Sequence, residues 1–215
     1  NNLYILDKDM KLAGKVEKLA EDEIIYSVRF MQNRAYMVTY KQTDPLFVID
    51  VKDPKNPKVL GKLKIPGFSN YLHPYDDTTL IGVGKDTEVN SSGGVITKGV
   101  KLSLFDVSNV SSPKEIDNYT MGGRGSESLV SQDHKAFLFD KTKNILSIPV
   151  YLTEDKGKDY GNFVFGGAYV FTVDKKDGFE LKGKIDHADS KLVVSGGAWA
   201  GYNYYDRNVK RSFYI

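Results

Sequence analysis

Four times along the chain an apolar run ends in aspartate, and a second strand-like run follows after a polar stretch. Leu3-Tyr4-Ile5-Leu6-Asp7 precedes Leu12-Ala13-Gly14-Lys15, and Leu46-Phe47-Val48-Ile49-Asp50 precedes Val59-Leu60-Gly61-Lys62. Leu102-Ser103-Leu104-Phe105-Asp106 precedes Glu115-Ile116-Asp117-Asn118, and Tyr169-Val170-Phe171-Thr172-Val173-Asp174 precedes Leu181-Lys182-Gly183-Lys184. A short unit repeated in this way buries its apolar faces only by stacking on its neighbours. From Asp7 to Asp50, Asp50 to Asp106 and Asp106 to Asp174 the intervals are 43, 56 and 68 residues. The shortest matches a four-stranded propeller blade of about 40–50 residues. The longer two carry polar, Gly-containing insertions, Glu88 to Thr97 and Glu154 to Asn162, which read as loops and as the recognition elements of the chain.

Between the landmarks lie further hairpins. Ile25–Phe30 and Ala35–Tyr40 flank Gln32-Asn33-Arg34, Tyr71–His73 and Leu80–Val83 flank Asp76-Asp77-Thr78, and Ala136–Phe139 and Ile145–Val150 flank Asp140–Asn144. No sustained apolar stripe of helical period is present, so little helix is expected. The expected fold is all-β, a β-propeller of four-stranded antiparallel blades, with about four blades' worth present. The expected boundaries are outer strands at 1–20, complete blades at 21–67, 68–122 and 123–187, and the start of a further blade at 188–215. Closure of the two ends into one blade would make a four-bladed ring. The strand-like pattern still running at Ile215 favours part of a larger ring.

The 30 basic and 28 acidic side chains are interspersed, which leaves no basic stripe for nucleic acid. No apolar run approaches the ~20 residues of a membrane-spanning helix. With no cysteine, disulfides, thiolate zinc sites and cysteine nucleophiles are excluded.

The candidate chemistry is sparse. His73 and His134 fall near inner strands, which line a propeller's central channel, so they and the nearby Asp76 and Asp133 are candidate binding residues. Together they offer His and carboxylate ligands of the kind Zn, Mn or Fe takes, although no H-x-x-x-H or H-E-x-x-H spacing occurs. The competing reading makes each of them a turn cap. Arg124, within Gly122-Gly123-Arg124-Gly125-Ser126, is a candidate contact for a carboxylate or sulfate, against the reading of a glycine-rich connection between blades. Asp7-Lys8-Asp9 and Asp174–Gly178 lack the ligand order of a calcium loop, so no cofactor is expected and a bound Ca or other divalent metal is not indicated. The aromatic group Trp199, Tyr202, Tyr204, Tyr205 and Phe213 reads as packing between blades.

The stretch Asp50-Val51-Lys52-Asp53-Pro54-Lys55-Asn56-Pro57, continuing to Pro66-Gly67, resembles the repeat family named for its LVIVD strand, with a degraded second copy at Asp106–Pro113. Turn chemistry alone accounts for the motif, since Pro54 pre-sets a turn and Asp50 and Asp53 can accept backbone N–H bonds. More broadly, Tyr26–Phe30, Thr43–Asp50, Tyr71–Asp76 and Asp133–Asp140 resemble secreted bacterial and archaeal proteins with a C-terminal β-propeller domain. That resemblance implies an exported, extracellular or envelope-associated protein and no settled activity. The expected function is a binding scaffold for a protein or carbohydrate partner at the cell envelope, without evident catalysis. The alternative is a channel-mouth hydrolase or lyase, metal-assisted, using His73, His134 and nearby carboxylates.

Overall fold

The structure is a computed structural model that describes residues 1–40, 44–155, 161–187 and 209–213. The N-terminal sheet has two strands, β1 (Leu3–Leu6) and β2 (Leu12–Val16). Three larger antiparallel sheets follow. The first runs in sequence order through β3 (Ile24–Met31), β4 (Arg34–Tyr40), β5 (Asp44–Asp50) and β6 (Lys58–Ile65). The second repeats that order with β7 (Phe68–Asp76), β8 (Thr79–Val89), β9 (Val95–Asp106) and β10 (Lys114–Met121). In the third, β13 (Ile145–Glu154), β14 (Asn162–Asp174) and β15 (Gly178–Asp186) are regular, while the innermost strand is broken into β11 (Glu127–Ser128) and β12 (Leu138–Asp140), both paired with β13. Among the described residues there is no α-helix. These are the four-stranded antiparallel sheets of a β-propeller.

The sheets stack face to face because their middle strands are apolar on both sides. Successive side chains of a strand point to opposite faces. Ala35 and Met37 therefore join Leu3, Phe47 and Ile49 against the N-terminal pair, while Tyr36 and Val38 join Leu46, Val48, Leu72, Leu80 and Phe105 against the second sheet. Ile81, Val83, Leu102 and Leu104 then meet Leu146, Ile148 and Phe171 of the third. Val28 and Phe30 pair with Met37 and Ala35 and so face the N-terminal pair, yet Phe30 is 63% exposed beside that two-stranded sheet.

The landmark aspartates have one local task. Asp7, Asp50, Asp106 and Asp174 each accept the backbone N–H two residues on, at 2.8–2.9 Å, which starts the outer hairpin turn. Each outer strand then carries one bulged residue, Ala13, Leu60, Ile116 or Lys182. The residue after each bulge is Gly14, Gly61, Asp117 or Gly183.

Three expectations change. The strand expected over Ala136–Phe139 begins only at Leu138, and His134 lies in a single 3₁₀ turn, His134–Ala136, rather than immediately before a strand. The reason is local: Ser128 and Asp133 accept the N–H groups of Val130 and Lys135, so side-chain bonds compete with the ladder across 129–137. The Glu88–Thr97 insertion is mostly strand, because β8 and β9 stay paired out to Val89↔Val95 and only residues 90–94 turn. Asn90 Oδ1 organises that turn by accepting the N–H groups of Ser92 and Gly94. Of the strands expected over Tyr202–Ile215, residues 209–213 are irregular and the rest lie outside the described residues. So do Trp199, Tyr202, Tyr204 and Tyr205; Phe213 is exposed.

Candidate functional site

Three consecutive innermost segments supply one aromatic cluster. From β3, Arg29 Nε donates to the Leu72 carbonyl at 2.8 Å, and Ser27 Oγ donates to that of Ser69 at 2.7 Å, which lays β3 along β7. On β7, Tyr71 and His73 pair with Val83 and Ile81 and so face the third sheet. That sheet's broken inner strand presents His134, Phe137 and Phe139 to them.

Tyr71 is the hub. It is only 7% exposed, its ring centroid lies 4.6 Å from that of His134 and 5.1 Å from that of Phe137, and the Arg29 guanidinium carbon sits 5.4 Å from it. The Tyr71 hydroxyl and His73 Nδ1 lie 3.0 Å apart and share a hydrogen bond. His73 packs at 4.6 Å on Phe137 and 5.6 Å on Phe139. At the far end Tyr75 packs on Phe139 and carries the Lys141 ammonium 3.2 Å from its ring centroid.

Electrostatics follow from this packing. Burial, helped by the positive charge of Arg29, pushes the His73 imidazole down to about 4, so the ring is neutral at pH 7. Burial raises the Tyr71 hydroxyl, against the opposing effect of Arg29. The His73 depression carries a linkage. An unfolded histidine takes up its proton near 6.5, whereas the folded ring resists until about 4. Stability from this source is full above 6.5 and is lost as pH falls from there towards 4. After discounting for a partly exposed ring, the loss is about 2 kcal/mol. We expect urea midpoints at pH 7 and 4.5 to differ more for the natural protein than for His73→Gln; parallel shifts in both would remove this account.

The two histidines thus meet through one tyrosine, but the carboxylates do not join them. Asp76 opens a turn, its Oδ1 accepting the Thr78 N–H at 2.9 Å and its Oδ2 pairing with Lys175 Nζ at 2.9 Å. Partial burial alone would raise this carboxyl, but the bonds from Lys175 and Thr78 outweigh it and hold it at about 2. Asp133 caps the His134 turn through the Lys135 N–H, 3.0 Å away, and pairs with Arg211 at 3.1 Å. Those two contacts keep its carboxyl below the usual range. Arg124 lies in the connection from β10 to β11. Its N–H donates to Asp155 at 2.8 Å, and its carbonyl accepts from Thr153 Oγ1 at 2.8 Å and from the Gly161 N–H at 3.2 Å. Among the described residues no three His, Asp or Glu side chains gather as metal ligands.

The sequence reading missed Arg29, Tyr71, Phe137 and Phe139 as members of the site. For Arg29 a signal existed, a lone cation inside the run Tyr26–Met31. The aromatic residues looked like any others of the core. Beside the cluster, a cleft of about 600 Å³ is lined by Ser128, Gln132, Asp133, Pro149, Val209 and Arg211.

A family model described as a beta propeller domain matches residues 1–215. An uncharacterized protein of Methanocaldococcus jannaschii is 48% identical over 151 residues, which cover 70% of this chain and 22% of that protein. One of Archaeoglobus fulgidus is 46% identical over 149 residues, covering 69% and 22%. The chain therefore spans about a fifth of the length of the curated relatives it matches. Among solved structures, an ACO/RPE65 chimera (TM-score 0.39, 14% identity) and a Synechocystis apocarotenoid oxygenase mutant (TM-score 0.40, 13% identity) are similar over 82% of this chain and 43% of theirs. Similarity of that degree bears on neither activity nor ligand. No helix among the described residues is long and apolar enough to cross a membrane.

Proposed function

The chain belongs to the beta propeller domain family, and from that premise we propose that it is a binding scaffold, displayed outside the cell or in the cell envelope, that engages a protein or carbohydrate partner. The observation carrying this reading is the convergence of Arg29, Tyr71, His73 and His134 from three successive inner segments onto one face. A surface assembled from several rigid strands is preorganised, so little ordering cost is incurred on binding. Of these groups the exposed His134 ring is the one that offers stacking to a partner, backed at 4.6 Å by the buried Tyr71 ring. His134 is the exposed member, and the Asp133–Arg211 pair adjoins it as a charged rim.

Scaffold is favoured over hydrolase or lyase because the acids nearest in sequence to the histidines are committed to Lys175 and Thr78, and to Arg211 and Lys135. The test uses the complete polypeptide on arrays of purified envelope glycans and envelope proteins, with His134→Ala beside it. Loss of an exposed stacking ring should weaken binding severalfold, up to about tenfold, since such contacts are worth about 0.5–1.5 kcal/mol. Saturable binding weakened in this way supports the reading. An absence of binding above a heat-denatured control, or equal binding by the variant, refutes it.

A further inference from the structure

The inner hairpins of the first and second sheets close on the pairs Met31↔Arg34 and Asp76↔Thr79, so Met31 and Asp76 hold corresponding places in the repeat. At the seam between the second and third sheets that place carries a bridge. Lys175, the residue after the landmark Asp174, reaches back to Asp76 Oδ2 at 2.9 Å and Thr78 Oγ1 at 3.2 Å. At the seam between the first and second sheets the residue after the landmark aspartate is the buried Val107, and Met31 packs on its apolar cluster. With valine for lysine and methionine for aspartate, that bridge cannot form.

The seam instead holds a cleft of about 380 Å³, lined by Met31, Arg34, Asp50, Lys52, Leu60 and Asp77 among others. Arg34 stands opposite Asp50 across β4 and β5, yet its Nη1 donates only to the Val107 carbonyl, at a long 3.5 Å. Asp50 Oδ1 accepts the Lys52 N–H at 2.9 Å, the turn bond common to the landmark aspartates. Among the described residues none of Arg34, Lys52, Asp50 and Asp77 forms an ion pair. Two cations and two anions therefore border one space without neutralising each other.

A lone anion would gain from Arg34 and Lys52 and lose to Asp50 and Asp77, and a lone cation would meet the reverse. A small ligand carrying both signs meets neither conflict. The cleft lies within the range of about 300–1,000 Å³ usual for small-molecule sites. The guanidinium fork of Arg34 suits a carboxylate bidentately. Asp77 rather than Asp50 is the partner for an ammonium, because Asp50 Oδ1 is already engaged in its turn. We propose that this seam binds a free aliphatic α-amino acid, its carboxylate on Arg34, its ammonium on Asp77 and its side chain against Met31 and Leu60. The site shares no residue with the cluster around Tyr71, so it stands or falls independently of the scaffold reading.

The test is isothermal titration calorimetry of the complete polypeptide with three ligands. L-leucine carries both charges, L-leucinamide lacks the carboxylate and 4-methylpentanoate lacks the ammonium. Leucine should bind saturably and both analogues more weakly. Arg34→Gln should weaken leucine roughly ten- to a hundredfold, as loss of a charged hydrogen bond does. Asp77→Asn, at an exposed turn position, should weaken leucine but not 4-methylpentanoate. If Arg34→Gln fails to fold, Asp77→Asn carries the test alone. No saturable leucine binding, an analogue as tight as leucine, or an unchanged leucine affinity in a folded variant overturns the proposal.

Discussion

Lys101→Met is expected to lower the unfolding free energy by about 3–5 kcal/mol, the usual consequence of removing one partner from a buried ion pair. Lys101 lies on β9, on the face turned to the first sheet, and its side chain is 7% exposed. Its Nζ donates to the Pro66 carbonyl at 3.1 Å and sits 2.9 Å from Glu115 Oε1, itself without an aligned hydrogen-bond donor. Pro66 belongs to the connection between the first and second sheets, so one ammonium neutralises a shielded carboxylate and anchors a crossing. Methionine fills the space and leaves the carboxylate uncompensated. Urea unfolding of Lys101→Met, Glu115→Gln and the double variant separates the terms. The double variant should recover part of the loss, because the stranded charge is gone. A single-variant loss under about 1 kcal/mol would show that water reaches the pair. Lys85 repeats the arrangement at the next joint, pairing with Glu127 at 2.7 Å and reaching the Ser126 carbonyl.

The second large effect is at Gly61. Valine favours strands, and on an open outer strand Gly61→Val would stabilise by up to about 1 kcal/mol. Here its Cβ would meet the Val110 carbonyl oxygen at 2.2 Å and the Ser111 Cα at 2.9 Å, both main-chain atoms that no rotamer change moves aside. The sign therefore reverses, and a loss of about 3 kcal/mol is expected from overpacking. The denaturant slope should stay unchanged, since the damage is confined to one joint. A stabilised Gly61→Val protein would mean that the turn of the second sheet does not rest on β6, and the joint described here would be wrong.

Much of the architecture was legible in the residues because its causes are local. Runs such as Leu46–Ile49 pleat with period two, and Asp50, Asp106 and Asp174 turn the chain by accepting an N–H two residues on, whatever lies across from them. An all-β chain of four-stranded antiparallel sheets follows from such signals. The break in the third sheet's inner strand was harder to see, although its cause is local too. Ser128 and Asp133 cap 3₁₀ turns inside a stretch whose Phe137 and Phe139 look like strand residues.

The candidate site was legible only in part. His73 and His134 were singled out from the residues, but their common contact is Tyr71, 63 residues from His134 in sequence. Asp76 and Asp133, the acids next to them in the chain, face Lys175 and Arg211 instead. The sequence alone determined strand, turn and repeat, because those depend on side chains within a few residues of one another. Only the tertiary structure decided which histidine is neutral, which lysine is buried and which glycine must stay a glycine, because burial and close approach are set by atoms that successive sheets bring together.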